Sequence, residues 1–418
     1  MKLFAIAAIL TTFSAAFSQS QQVALEISAD RSGAIPIGIV MFQPADRSEP
    51  AGDAQPWRVI AANLDFTGDF SVKRLNTLDT AALLEEQIPI YITGIYNVKG
   101  DSMTLEIFLR DAGRHDLLLG RTYTFHRRDA RTIAHRYSSE VHRTLLGEDN
   151  APYESKIVFV EKSENGKNVV VSDYDGHNRR RITNDPNGIN IMPSFIDRSH
   201  LLYVTFERGR PDIFEINILT GKKRAIISSR RVESSPNYSD ITGRIAFGSS
   251  KGGNMEVYTT DRNGENLQRL TVNPPSISTA PNWSPDGFTI AFVSDRTGSP
   301  QIYTMTRNGT GVRRLTFGGN WHDSPSFSPD GSKIAYTAMR NGRNVIAVSS
   351  VTGGDEELIT AQVPGTQEYP SWSIDGSHII FTLKQGGQSD IYAIRLKDKR
   401  LLRITNSGNA EQSKWSKF

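Results

Sequence analysis

From residue 155 onward, short apolar runs alternate with polar turns, and the runs come in pairs. The first of each pair reads "RIAFGSS", "TIAFVSD", "KIAYTAM" or "HIIFTLK"; a segment of two-residue period follows, such as "QIYTMTR" at 301 and "DIYAIRL" at 390. Runs this short, with alternating polarity and Gly or Pro between them, predict strands rather than helices. Ahead of each pair stands a proline: Pro193, Pro236, Pro281, Pro325 and Pro370, at steps of 43, 45, 44 and 45 residues. An aromatic residue follows two positions on, as Phe195, Tyr238, Trp283, Phe327 and Trp372. Then comes a turn such as Ser284-Pro285-Asp286-Gly287, where proline sets φ at the second position and glycine relieves the fourth. Asn263-Gly264 and Asn308-Gly309 mark hairpins later in the unit. Each unit closes on Ile182-Thr183, Leu270-Thr271, Leu315-Thr316, Ile359-Thr360 or Ile404-Thr405, with Ile226-Ile227 as the variant.

Four strands in such a unit predict one blade of a β-propeller, because a unit this small cannot bury a core alone. "SKIVFV" at 155 matches the middle of a unit and "SKWSKF" at 413 matches its start. The chain therefore enters and leaves within one shared blade, giving six. Closure is expected to join the strand of Trp415 to that of Ile157, removing two exposed edges.

Residues before the repeats have a different pattern. "IPIGIVMF" (35–42) reads as a buried strand, 57–70 and 79–87 as helices around the strand "SVKRLN", and 90–98, 102–111 and 117–125 as three antiparallel strands. A helix from Asp129 to Leu146 carries Ala130, Ile133, Ala134, Tyr137, Val141 and Leu145 on one face. The expected fold is mainly β: a six-bladed propeller over 148–418, preceded by a small α/β domain within 19–147, with 147–155 as the link. Ahead of that domain, Val23, Leu25 and Ile27 alternate in a segment that is either a strand or a loose arm.

The N-terminus changes the picture of location. Lys2, the apolar run Leu3 to Leu10, and the small residues Ala16 and Ser18 form a secretory leader over 1–18, too short to span a bilayer. A net charge of +3 with 48 basic and 45 acidic residues argues against nucleic acid as a partner. No cysteine is present, which removes disulfides and thiolate metal sites.

Several residue patterns imitate chemistry. "GSSKG" at 248–252 fits a nucleophile elbow around Ser250, but no helix follows it. His135 and His142 lie seven apart on one helix, too far to share a metal without further ligands. Asp173, Asp175 and Asn178 resemble a calcium loop without its closing acid, so a hairpin turn is expected there. No catalytic residue, metal or cofactor is assigned. The alternative function is a secreted propeller enzyme or the gating propeller of a peptidase. It lacks inward histidines matched across blades, and the chain ends at Phe418, directly after the expected closure.

The leader, the α/β domain containing "IPIGIVMF" and "NLDFTGDF", and the P-x-W-S-P-D-G repeats together resemble the TolB family of the Tol–Pal system. The resemblance implies a monomeric, non-catalytic periplasmic protein that maintains outer-membrane integrity and constriction at division. It implies two partners: the lipoprotein Pal, which links it to the outer membrane, and TolA. Carried onto this chain, Pal would meet the residues before each repeat's proline: Ile191, Met192, Val232, Ser235, Thr279, Ala280, His322, Asp323, Glu368 and Tyr369. Within that rim, His322 is expected to offer a hydrogen bond to the partner. TolA would meet the arm, from Gln22, Val23, Ala24, Leu25, Glu26 and Ile27 on to Asp30.

Overall fold

The computed structural model describes residues 33–45, 48–49, 51–52, 55–185 and 187–418. The leader and the arm residues Gln22 to Ile27 lie outside the described residues. The strand Ile35–Val40 sits inside a mixed sheet ordered Phe70–Leu75, Ile35–Val40, Ile90–Lys99, Ser102–Asp111, Leu117–His126. The first two pairings are parallel and the others antiparallel. Helix α1 (Pro56–Thr67) begins at a proline, whose missing N–H costs nothing in a first turn. It stops earlier than the expected 57–70, because Gly68 turns left-handed (φ 79°) and Phe70 already opens a strand. Helix α2 (Thr80–Glu85) is capped by Asp79, which accepts the Ala82 N–H at 3.1 Å. Helix α3 (Ala130–Leu146) buries Ile133, Ala134, Tyr137 and Val141 as its stripe predicts. The link at 147–155 is not a free tether. Pro152–Glu154 forms a 3₁₀ turn, and Tyr153 is fully buried with its ring 5.9 Å from that of His142.

From Lys156 on, the chain forms six four-stranded antiparallel sheets arranged as blades, as the repeat predicts. One blade runs Ser278–Trp283, Thr289–Ser294, Gln301–Thr306, Arg313–Arg314 from the inner strand outward. The last strand, Ala410–Trp415, pairs with Lys156–Lys162, placing Trp415 opposite Ile157 and closing the ring. Blades bury one another: Ala246 and Val257 of one share a core with Trp283, Ile290 and Phe292 of the next.

The closing threonines are buried connectors. Thr316 Oγ1 accepts the Ile302 N–H at 3.0 Å and donates to Gln301 Oε1 at 2.8 Å, tying the outer strand to its neighbour. Thr183, Thr271, Thr360 and Thr405 accept the N–H of Val169, Val257, Ile346 and Ile391 in the same way. In the variant blade, Ser228 takes over by donating to Asp212 at 2.9 Å. The Asn-Gly hairpins also lock blades together. A Cβ on Gly264 would stand 2.2 Å from the carbonyl oxygen of Ile226 in the preceding blade, so glycine is needed for approach as well as for its turn.

The α/β domain sits on the propeller face that carries the Ser-Pro-Asp-Gly turns and outer hairpins. The Arg395 guanidinium donates to the carbonyls of Asp65 and Phe66 at 2.7 and 3.1 Å. Phe66 stacks on His378 with ring centres 4.1 Å apart, and the Tyr174 hydroxyl donates to Asn63 at 2.6 Å. The opposite face, where inner strands begin, is left uncovered by it.

Candidate functional site

That uncovered face surrounds the mouth of the central channel. Each inner strand carries a bulge there, with register shifts between Ile191 and Ser194, Ser234 and Asn237, Thr279 and Asn282, Asp323 and Ser326, Glu368 and Ser371, and Glu411 and Lys414. Inside each bulge one non-glycine residue is left-handed: Met192, Ser235, Ala280, Ser324, Tyr369 and Gln412, with φ between 47° and 58°. In five blades the next residue is a proline, which cannot donate to the ladder, so pairing must skip it. The sixth has Ser413 at that position and keeps the same bend. The ring of bulges therefore belongs to the blade geometry. Six side chains in a sparsely populated backbone region around one opening are the kind of local strain that marks functional sites.

Met192, Ser235, Ala280, Ser324, Tyr369 and Gln412 line a cavity at the channel mouth together with the prolines behind them. Hydrogen bonds run from blade to blade around it. The Met192 N–H donates to Gln412 Oε1 at 2.9 Å, the Ser235 N–H reaches Met192 Sδ at 3.3 Å, and Ser234 Oγ lies 3.4 Å from Thr279 Oγ1. The charge is acidic but mostly engaged. Glu368 is held by Lys384 at 2.5 Å and Asn344 at 3.2 Å; Glu411 is held by Lys162 and Lys167 at 2.7 and 2.8 Å. Asp323 has no cation within ion-pair distance among the described residues, and burial raises its carboxyl above the usual range. Burial likewise pushes the Tyr369 hydroxyl up to about 12. Beyond the rim, the loops leading into the inner strands expose Phe317 (73%) and Val272 (69%), large apolar groups on the same uncovered face.

Of the rim residues expected from sequence, Met192, Ser235, Ala280 and Tyr369 line the cavity; Ile191, Thr279 and Glu368 stand one position behind three of these, and Asp323 stands one position behind Ser324. Two need correction. Val232 lies outside the bulge, just before the strand Glu233–Ser239, where its N–H donates to Ser250 Oγ at 3.0 Å; the matching residue is Ser234. His322 is fully buried, so it offers no hydrogen bond to a partner: its Nε2 faces Glu356 at 3.3 Å and Arg340 at 3.2 Å, and its ring meets Tyr336 edge-on. Ser324, Glu411 and Gln412 were missed. Counting back from Pro325 would have found Ser324, whereas the closing strand has no proline to count from.

A second cluster joins the domains. His135 Nε2 lies 3.6 Å from Asp173 Oδ2 and 3.9 Å from Asp175 Oδ2, and Nδ1 lies 3.2 Å from Asn63 Oδ1. These three could in principle ligate a metal, but their carboxylates are already engaged by Lys156, Arg131 and Asn178. Against the opposing effect of burial, His135 and Lys156 hold the Asp173 carboxyl below its usual range, and His177, His135 and Arg131 do the same for Asp175.

The family described as "TolB beta propeller domain" matches residues 144–418. A Tol-Pal system protein TolB of Desulfosudis oleivorans is 31% identical over 259 residues, 57% of each chain. One of Geobacter sulfurreducens is 32% identical over 205 residues, 46% of each. The chain thus matches about half the length of these relatives. The crystal structure of TolB from Acinetobacter baumannii superposes with a TM-score of 0.77 at 22% identity, covering 93% of this chain and 98% of that one, a likeness of fold.

Proposed function

The chain belongs to the TolB β-propeller family, and from that premise we propose that it is a non-catalytic, monomeric, periplasmic component of the Tol–Pal system. In this reading the rim face docks the lipoprotein Pal and the segment 22–30 reaches TolA, serving outer-membrane integrity and constriction at division. The observation that carries it is the ring of six strained bulges around a cavity on the face the α/β domain leaves uncovered. A rigid ring with varied side chains suits the docking of a globular partner, since recognition resides in such rims rather than in the blades. Among the described residues, no helix is long and apolar enough to cross a membrane.

The test is calorimetric titration of purified Pal into the chain. Ala280→Arg keeps the left-handed backbone no worse than alanine but fills the mouth with a guanidinium, and it should abolish binding. Equal binding by wild type and variant would remove the rim from the reading. Deletion of residues 19–30 should abolish capture of TolA; undiminished capture would remove the arm.

A further inference from the structure

The channel has a second end, opening on the face that carries the α/β domain. At mid-channel, one step past the five prolines and Ser413, stand Ser194, Asn237, Asn282, Ser326, Ser371 and Lys414, and all six line the cavity that widens toward that face. Asn237, Asn282 and Lys414 also reach the rim cavity, so they mark where the two ends meet.

This ring is rich in donors and poor in acceptors, for a reason that lies in how the blades are joined. Asn237 Oδ1 accepts the Trp283 N–H at 2.8 Å, and Asn282 Oδ1 accepts the Phe327 N–H at 2.9 Å. With its oxygen held by the next blade, each amide keeps its NH₂ for the channel, and neither NH₂ has a partner among the described residues. Ser371 Oγ likewise accepts the Trp415 N–H at 3.0 Å, leaving its hydroxyl proton to donate. Ser194 Oγ has no partner among the described residues, in a residue only 4% exposed. Lys414 has no carboxylate within ion-pair distance among the described residues. Lys417 lines the same cavity, and Asp240 is its one acidic side chain.

We propose that this ring is an oxyanion site, taking the carboxylate or phosphate group of a small molecule that enters from the α/β-domain face. Converging N–H and O–H groups with no acceptor of their own are what such a group needs, and a lysine beside them supplies the charge. The walls of the channel desolvate the Lys414 ammonium and push it down to about 8. An anion placed against it would raise it again. Asp323, on the rim side, acts on Lys414 in the same direction and is the acidic neighbour an incoming anion must face. The site adjoins the protein-docking rim, sharing Asn237, Asn282 and Lys414 with its cavity, and opens toward the other face.

The probes are inorganic phosphate and acetate, titrated into the whole chain at low chloride, with chloride itself as the control. One saturable event is expected for at least one probe. Phosphate binding more tightly than acetate would identify a phosphate ligand, and the reverse a carboxylate. Lys414→Ala should weaken binding by about tenfold or more. Asn282→Asp is the decisive variant: it keeps the acceptor for the Phe327 N–H while replacing the channel-facing NH₂ with a charged oxygen, so folding should persist and binding should fall by a similar factor. An unchanged melting profile for Asn282→Asp would verify the first point. Binding only above about 10 mM for both probes, or equal affinity in wild type and Asn282→Asp, would overturn the proposal.

Discussion

Trp415 Nε1 donates to Ser155 Oγ at 2.7 Å, joining residues at the two ends of the propeller chain. Around this contact the Ser416 N–H donates to Lys156 O at 2.8 Å, the Lys156 N–H donates to Ser416 Oγ at 3.0 Å, and Trp415 is itself only 4% exposed. The closing strand is thus held by a buried indole as well as by its ladder. Deleting residues 413–418 removes the indole and the pairings of Lys414 and Trp415 and exposes that part of the edge of Lys156–Lys162. The truncated chain should melt well below the intact one and with lower cooperativity in scanning calorimetry. A superimposable melt would show that the ring does not depend on this closure.

The hairpin glycines separate two effects of a side chain. At Gly264 (φ 84°) an added Cβ meets the Ile226 carbonyl oxygen at 2.2 Å, whereas at Gly209 (φ 77°) nothing among the described residues lies within 4 Å. Gly209→Ala should cost only the strain of a left-handed residue, about 1 kcal/mol. Gly264→Ala must also push two blades apart and should cost several times that, ~3 kcal/mol or more. Urea denaturation of the two variants checks the difference; equal midpoints would mean the approach to Ile226 relaxes freely.

The threonine connectors predict a loss that volume alone would not. Thr316→Val preserves shape but leaves the Ile302 N–H and Gln301 Oε1 buried without their partner. Stranding buried polar groups costs about 1–3 kcal/mol. The variant should lose stability in that range by denaturant titration, and a neutral result would assign the geometry repeated across the blades to packing.

These examples show why the blades were legible and the rim less so. Proline, glycine and threonine recur in the repeat because each answers a backbone demand: a missing donor at the bulge, a close approach at Gly264, an acceptor for a buried N–H at Thr316. Such demands admit few residue types, so they leave letters in the sequence. The left-handed position has Met192, Ser235, Ala280, Ser324, Tyr369 and Gln412 in turn. The bend is imposed by the skipped ladder rather than by a particular side chain, and only serine occurs twice among the six. His322 misled for a related reason: its neighbours Glu356 and Arg340 come from elsewhere in the same blade and withdraw it from the surface. The contact of His135 with Asp173 joins two domains, and periodicity within either carries no trace of it.

The stacked pair Phe66 and His378 yields a pH prediction at the domain interface. His378 is fully buried under the α/β domain, its Nδ1 lies 2.7 Å from Ser377 Oγ, and its Nε2 makes no well-formed hydrogen bond among the described residues. Burial and the nearby Arg395 cation push its imidazole down to about 3, with Asp398 and the Phe66 backbone opposing. The folded state therefore keeps the ring neutral where the unfolded chain, with a histidine near its usual pKa of about 6.5, takes up a proton. Protons bind the unfolded state more strongly, so stability is intact above about pH 6.5 and falls as pH drops toward 3, with a limiting slope of ~1.4 kcal/mol per pH unit. Asp173 and Asp175, held below their usual range, add their own loss only below about pH 4, once the unfolded carboxylates begin to protonate. His378→Phe should remove the loss between pH 6.5 and 4.5 while leaving the more acidic one. Denaturant midpoints measured across that window check it: a wild-type midpoint that stays flat from pH 7 to 4.5, or a variant that keeps the wild-type slope, would show that His378 is not the group that titrates.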